Sequence, residues 1–316
     1  MDVGGQETLT DGYVDLQVNG YAGVDFNGDN LTVEAMHTAC ERMRGDGVAG
    51  FLPTVITDEV EVMEARLACL TEAYHADALV REMVWGLHIE GPFISPELGY
   101  VGAHPAAAVR PANRTDMEKL LEAADGLVRI VTLAPEYDEG LRLTRYLVDQ
   151  GIVVAAGHCD PSMDQLLAAI DAGLSMFTHL GNGCPMQLHR HDNIIQRTLS
   201  LHEHLWISFI ADGAHVSYPA LGNYLRTTGM ERCVIVTDAI SAAGLGPGRY
   251  TLGQQTVEIG EDLVPWSTDR SHFVGSATTM PSMVANLQKY LRLSAEQVQR
   301  LTSVGPRQIL DAASVV

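Results

Sequence analysis

Residues Gly151 to Pro185 read GIVVAAGHCDPSMDQLLAAIDAGLSMFTHLGNGCP. Ile152 to Ala156 is a short apolar run that ends at Gly157 and His158, the pattern of a strand buried on both faces and feeding a loop. Asp160 followed by Pro161 reads as a helix start, with Asp as N-cap and Pro at the first helical position. Met163, Leu166, Leu167 and Ile170 then recur at helical spacing, Gly173 closes the helix, and Ser175 to Thr178 is a second short strand ending at His179. A right-handed crossover makes the two strands parallel, and neighbours in one sheet if nothing is inserted between them. Both imidazoles then leave the same rim, within reach of one ion. A lone loop histidine is more often a satisfied polar group, but two in register on adjacent strands favour a metal site.

The same alternation extends in both directions. Strands are predicted at Gly12–Val18, Gly50–Val55, Met83–Ile89 and Val128–Leu133 before this unit, and at Leu205–Ile210 and Cys233–Val236 after it. Between them lie helical patterns at Leu31–Arg44, with Asn30 or Thr32 as cap, and at Asp58–Ala76, Thr115–Ala124, Glu139–Gln150, Asn193–His202 and Tyr218–Thr227. Eight strands alternating with helices predict an α/β chain folded as a (β/α)8 TIM barrel, whose chemistry sits at the carboxyl ends of the strands. No Gly-x-Gly-x-x-Gly follows the first strand to favour a doubly wound sheet. Phe93 to Pro111 is a long aperiodic loop, a length that in compact domains is usually functional. Ala239 to Thr279, glycine-rich with alternating stretches, is expected to hold a hairpin over the barrel mouth. Ser282–Leu291 and Ala295–Thr302 complete the helical layer. With no repeat and no linker, residues 1–316 are expected to be a single catalytic domain.

At 316 residues and 46% hydrophobic composition the chain can bury a barrel-sized core. A formal net charge of -20 argues against nucleic acid and anionic membrane as partners and leaves a small molecule. No apolar run is long enough to span a bilayer, and MDVGGQETLTDG at the amino terminus lacks the basic and apolar segments of a secretion signal. The five cysteines, Cys40, Cys69, Cys159, Cys184 and Cys233, are scattered without a C-x-x-C pair, which suits reduced thiols in a cytoplasm.

Just past the strands stand Gln17 and Asn19, Thr54, Glu90, Glu136, His158, His179, Asp212 and Asp238. Glu90, His158 and His179 make one carboxylate and two imidazoles, a set that leaves an open coordination position on a zinc-like ion. Such an ion lowers the pKa of bound water to about 7 and polarises a carbonyl. Asp238, in VTDAI, is placed to take a proton from that water and pass it to a leaving nitrogen. On residue type alone it is equally a helix cap or a salt-bridge partner.

HIEGP (His88 to Pro92), AGH (Ala156 to His158), THLGNGCP (Thr178 to Pro185), ADGAHV (Ala211 to Val216) and VTDAISAAG (Val236 to Gly244) together resemble the N-acetylglucosamine-6-phosphate deacetylases of the amidohydrolase superfamily. The resemblance runs in order from Gly12 to about Arg307. It implies that Glu90, His158 and His179 bind the metal, that Asp238 is the general acid/base and that His104 contacts the substrate near the scissile amide. It implies further that Asn182, the Gly183 amide and His215 hold the sugar phosphate. Arg190 lies at the offset of an arginine that reaches the phosphate of a neighbouring subunit in a homodimer. LHRHDNIIQR departs from the usual family segment there, and Arg197 is a rival. Many amidohydrolases carry His-x-His on the first strand where this chain has Gln17-x-Asn19. One divalent ion per chain is therefore expected, Zn2+ with Fe2+, Mn2+ or Co2+ as alternatives, and Gln17 and Asn19 hydrogen-bond in the vacated space. The implied reaction is hydrolysis of the N-acetyl amide of an amino-sugar phosphate. Another N-acyl amino sugar, a cyclic amide, or a non-catalytic sugar-phosphate-binding barrel are the alternatives. The family usually carries a small β-sandwich built from both chain ends, and with about 11 residues before the first strand this chain is expected to be the barrel alone.

Overall fold

Apolar runs without polar alternation need cover on both faces, and parallel strands between helices supply it. The computed structural model describes residues 11–252, 255–261, 263–266 and 273–312. In it the runs form one eight-stranded parallel sheet in chain order. The strands are β1 (Tyr13–Val18), β2 (Val48–Ile56), β3 (Leu87–Glu90), β4 (Val128–Leu133), β5 (Val153–Ala156), β6 (Met176–Phe177), β7 (Trp206–Ile210) and β8 (Cys233–Val236). β5 and β6 are parallel neighbours, with Ala156 opposite Phe177.

The sheet curls until its edges meet, and that seam is made differently from the other joints. Val18 and Ala239 form a single parallel bridge, Asp238 N donates to Gln17 O at 3.0 Å and Asn19 N donates to Ala239 O at 2.7 Å. Below them the carboxylate of Asp15 in β1 accepts from the backbone N of Thr237 at 3.1 Å and from its hydroxyl at 2.6 Å.

The strand side chains and the inner faces of the helices merge into one core that includes Leu16, Phe51, Leu67, Ile89, Val131, Leu166, Phe209 and Ile235. Each such fully buried side chain contributes about 1.5–3 kcal/mol. Gly248–Leu252 pairs antiparallel with Gln255–Ile259 in the stretch after β8, over a small separate cluster of Ile240, Ala242, Ile259 and Ala277.

Several boundaries move. The helix after β5 is Met163–Asp171, and its N-terminus is a capping box of Ser162 and Gln165 rather than Asp160 and Pro161. Asp160 is drawn away because its backbone N donates to Glu136 Oε1 at 2.6 Å and its carboxylate binds Arg197. Met83 is helical: Asp77 caps a further helix, Ala78–Met83, by accepting from Leu79 N and Val80 N, and the strand starts at Leu87. The helix predicted at Glu139–Gln150 is interrupted at Gly140, φ 65°, and runs from Arg142 to Asp149. Thr32 caps Val33–Gly45, accepting from Ala35 N. The last helical stretch continues through a π-turn, Arg300–Val304, into Gly305–Ala312, which the periodicity did not reveal. Among the described residues no helix is long and apolar enough to cross a membrane, and all five cysteines are unpaired. The leaderless reading of the amino terminus falls largely on residues 1–10, which lie outside the described set.

Candidate active site

Short strands end where the chain must turn outward, and here those turns carry the chemistry. Glu90 is the last residue of β3, Asn19 follows β1, and His158, His179 and Asp238 each stand two residues past β5, β6 and β8. The last three have φ of 51°, 33° and 49°. Non-glycine residues in this left-handed region cost about 1–3 kcal/mol each and cluster at functional sites; His and Asp are among those that tolerate it.

The turns bring the side chains together. His179 Nε2 lies 2.8 Å and His158 Nε2 3.4 Å from the same oxygen, Glu90 Oε1. His104 Nε2 lies 3.9 Å from Glu90 Oε2. Gln17 Nε2 donates at 3.2 Å to both oxygens of Glu90 and to Asp238 Oδ1, and Asn19 Nδ2 donates to Asp238 Oδ1 at 2.6 Å. Glu90 and Asp238 thus share one amide donor yet titrate in opposite directions. Burial works against the Glu90 carboxylate, but hydrogen bonds from His158 and His179 outweigh it and hold the group well below the usual range. Burial, together with the Glu90 charge, raises Asp238. A pair driven apart in this way separates a permanent anion from a proton carrier.

The imidazoles are oriented from behind. His158 Nδ1 bonds Tyr100 O at 2.7 Å, which orients the ring with Nε2 toward Glu90. His104 Nδ1 is 2.8 Å from Thr57 Oγ1, which also lies 3.3 Å from Glu90 O. If that hydroxyl donates to Glu90 O, His104 Nε2 is a lone pair; if it donates to His104, Nε2 carries the proton. Burial pushes His104 down to about 3, so the ring is neutral in either case. Against the burial that lowers it, hydrogen bonding to Glu90 raises His179, whose buried Nδ1 has no partner among the described residues. Glu90, His104 and His158 offer ligand atoms all within 4.8 Å of one another. One carboxylate with imidazole Nε2 atoms gathered around it is a donor set that fits a divalent ion.

Of the groups assigned to the phosphate, Asn182 and Gly183 pack against this cluster. Asn182 spends its amide on His179 O at 3.2 Å. Gly183, φ 58°, packs on His158, and a Cβ there would lie 2.9 Å from His158 Nδ1. His215 Nδ1 bonds Asp212 Oδ2 at 2.6 Å and its ring lies 4.8 Å from that of Phe273. Burial raises the Asp212 carboxyl, but the bond from His215 outweighs it and the group titrates low. Arg190 is exposed. Arg197 is engaged, by Asp160 at 2.8 Å, Asp192 at 2.7 Å and Pro161 O at 2.7 Å.

No protein-family model matches the chain. It is 33% identical over 312 residues to N-acetylglucosamine-6-phosphate deacetylase of Bos taurus, covering 96% of this chain and 74% of that one. The chain belongs to the N-acetylglucosamine-6-phosphate deacetylase family. An N-acetylgalactosamine-6-phosphate deacetylase of Escherichia coli O157:H7 is 30% identical, over 98% of this chain and 80% of that one. The solved N-acetyl-D-glucosamine-6-phosphate deacetylase of Mycobacterium smegmatis, in complex with N-acetyl-D-glucosamine-6-phosphate, superposes with a TM-score of 0.84 at 28% identity, over 95% of this chain and 77% of that one. That of Thermotoga maritima gives 0.83 at 28% identity, over 95% and 78%. Within this deacetylase framework the residue types missed by the motifs are the supports: Thr57, the Tyr100 carbonyl, and His88. His88 joins Leu16 O at 3.1 Å to Thr132 Oγ1 at 2.7 Å, and Thr132 Oγ1 joins Thr178 Oγ1 at 2.7 Å. Burial pushes His88 down to about 4, so it is a neutral strut. Only His88 left a trace in the sequence, as the first letter of HIEGP.

Proposed function

We propose that this protein hydrolyses the N-acetyl amide of N-acetylglucosamine 6-phosphate, giving glucosamine 6-phosphate and acetate. The observation that carries the reading is the Gln17 bridge between Glu90 and Asp238, two carboxyls whose surroundings drive their titration apart at the rim of a barrel of this family. Glu90, His158 and His179 would hold one divalent ion, Zn2+ with Fe2+, Mn2+ or Co2+ as alternatives, since both imidazoles reach the same carboxylate oxygen. When bound, the ion activates the attacking water and polarises the acetyl carbonyl. Asn19 and Gln17 occupy Asp238 Oδ1, so Oδ2 is the atom that accepts the water proton and returns it to the departing amine. Gln17 keeps the two carboxyls apart in role by donating to both. His104 lies across Glu90 and contacts the acetyl group.

His215, Asn182 and the Gly183 amide receive the phosphate, and Arg190 reaches it from the second subunit of a homodimer. The rim supports such a contact: Leu98 and Met186, 92% and 90% exposed, flank the close packing of Gly99 on Pro185. With unpaired cysteines and a small anionic substrate, the enzyme works in the cytoplasm.

Acetate release from N-acetylglucosamine 6-phosphate by metal-loaded protein tests the reaction, with Asp238→Asn expected to lose about 10²–10⁴-fold in kcat while keeping one ion per chain. No turnover by a folded, metal-bound wild type sinks it. Parallel assay of the 4-epimer is needed because a relative of similar identity is named for the galactosamine sugar. The ligand set has a rival in Glu90, His104 and His158. Metal content of His179→Gln and His104→Gln decides between them: loss of the ion in the first alone supports the proposed set.

A further inference from the structure

Seven of the eight barrel joints are ladders, and the eighth, between β8 and β1, is a single bridge with three backbone bonds, Asp238 N to Gln17 O at 3.0 Å and Asn19 N and Gly20 N to Ala239 O at 2.7 and 3.0 Å, and side chains around it. So short a joint leaves part of the register of the active-site groups on either side of it to side chains. Gln17 and Asn19 extend from β1, and Asp238, which both of them bind, extends from β8. Asp238 also sits in a left-handed turn that the surrounding structure must hold. Directly beneath, Asp15 is 1% exposed and accepts three hydrogen bonds: from Thr237 N at 3.1 Å, Thr237 Oγ1 at 2.6 Å and Gln17 N at 3.3 Å. The Thr237 hydroxyl in turn accepts from Ala239 N at 3.2 Å, so Asp238 is bracketed by residues tied to one carboxylate and one hydroxyl. A buried carboxylate is a costly substitute for a sheet ladder unless its position does something a ladder would not.

We propose that Asp15 and Thr237 form a latch across the barrel seam that positions Asp238 against Asn19 and Gln17, making both of them positioning residues for the hydrolysis. The latch touches no substrate. It acts by fixing the turn that aims Asp238, and it rests on the reading of Asp238 as the general acid/base. Removing the hydroxyl leaves Asp15 Oδ2 and Ala239 N without their partner and frees the turn to relax, whereas Glu90, His158 and His179 stand on β3, β5 and β6, which the latch does not touch.

Thr237→Val, which keeps the shape and loses the hydroxyl, tests this beside Thr237→Ser and Asp15→Asn in the metal-loaded full chain. A misplaced general base lowers kcat by about tenfold to a hundredfold. KM for N-acetylglucosamine 6-phosphate stays within about twofold, as expected when only the reacting geometry changes, and metal content remains at the wild-type level. Thr237→Ser restores kcat to within about threefold of wild type. A crystal structure of Thr237→Val shows Asp238 Oδ1 out of hydrogen-bond range of Asn19 Nδ2 with Glu90, His158 and His179 unmoved. Wild-type kcat in Thr237→Val with Asp238 in place overturns the latch, as does a loss that Thr237→Ser shares in full or that tracks loss of metal. A wild type inactive on this substrate overturns the proposed reaction, and the crystallographic comparison then decides the latch by itself.

Discussion

Gly183 has no room for a side chain. A Cβ would sit 2.9 Å from His158 Nδ1 and 3.0 Å from its Cγ, and a Cβ at Gly102 would lie 3.1 Å from His158 Cε1. His158 thus packs closely on two glycines, both in the left-handed region, with φ of 58° and 59°. Gly183→Ala is expected to push the ring off the Tyr100 carbonyl and to lower metal content and kcat together, read by metal analysis of the purified protein. Full metal occupancy would confine Gly183 to the phosphate role. Asp15 gives a prediction of another kind. Burial pushes its carboxyl up to about 7 from 3.8, so between these values the native state holds a proton that the unfolded chain has lost. Stability contributed by the protonated group is complete below pH 4 and is lost as pH rises through 7. Denaturant unfolding of wild type and Asp15→Asn should therefore diverge in the variant's favour by about 3 kcal/mol between pH 5 and pH 8. A difference that does not change with pH would show that Asp15 titrates normally.

At the level of elements, the loop after β6 holds Asn182, Gly183 and Arg190, and the first two pack against His179 and His158. Arg190 is exposed, while Arg197 anchors the loop to Asp160 and Asp192. Arg190→Ala should raise KM for the phosphorylated sugar about tenfold or more, the worth of a charge-assisted bond, and leave turnover of unphosphorylated N-acetylglucosamine unchanged. Arg197→Ala should instead lower the melting temperature. Equal effects of Arg190→Ala on both sugars would remove it from the phosphate site. The contrast shows what sequence can carry. Strands β1 to β8 were legible because apolar runs flanked by glycine have one good solution, and the rim residues were legible because they follow those runs directly. Arg190 and Arg197 were indistinguishable because their difference lies in Asp160, 37 residues from Arg197 and brought beside it only by folding. The start of the helix at Met163 was misplaced for the same reason: Asp160 has the right type for a cap and a better partner elsewhere. Thr57, Tyr100 and Thr237 escaped because a hydroxyl or a backbone carbonyl that orients another residue has no pattern of its own.

For the whole molecule the question is how much of the fold depends on the ion. In zinc-finger-sized domains the metal supplies the folding energy, but here a continuous apolar core runs through the barrel and its helices. Ion removal should therefore leave the barrel folded while withdrawing only the binding free energy. At a free ion concentration of 100 times Kd that is about 2.7 kcal/mol, or a fall of roughly 5 °C in melting temperature for a chain of this size. Chelation followed by calorimetry and far-ultraviolet circular dichroism checks this: the transition stays cooperative and native-like below the lowered Tm, activity disappears, and one equivalent of ion restores both. Loss of cooperative unfolding after chelation would mean that the three ligand-bearing strands β3, β5 and β6 are held in register by the ion. The short β6, only two residues in the ladder, is where that failure would begin.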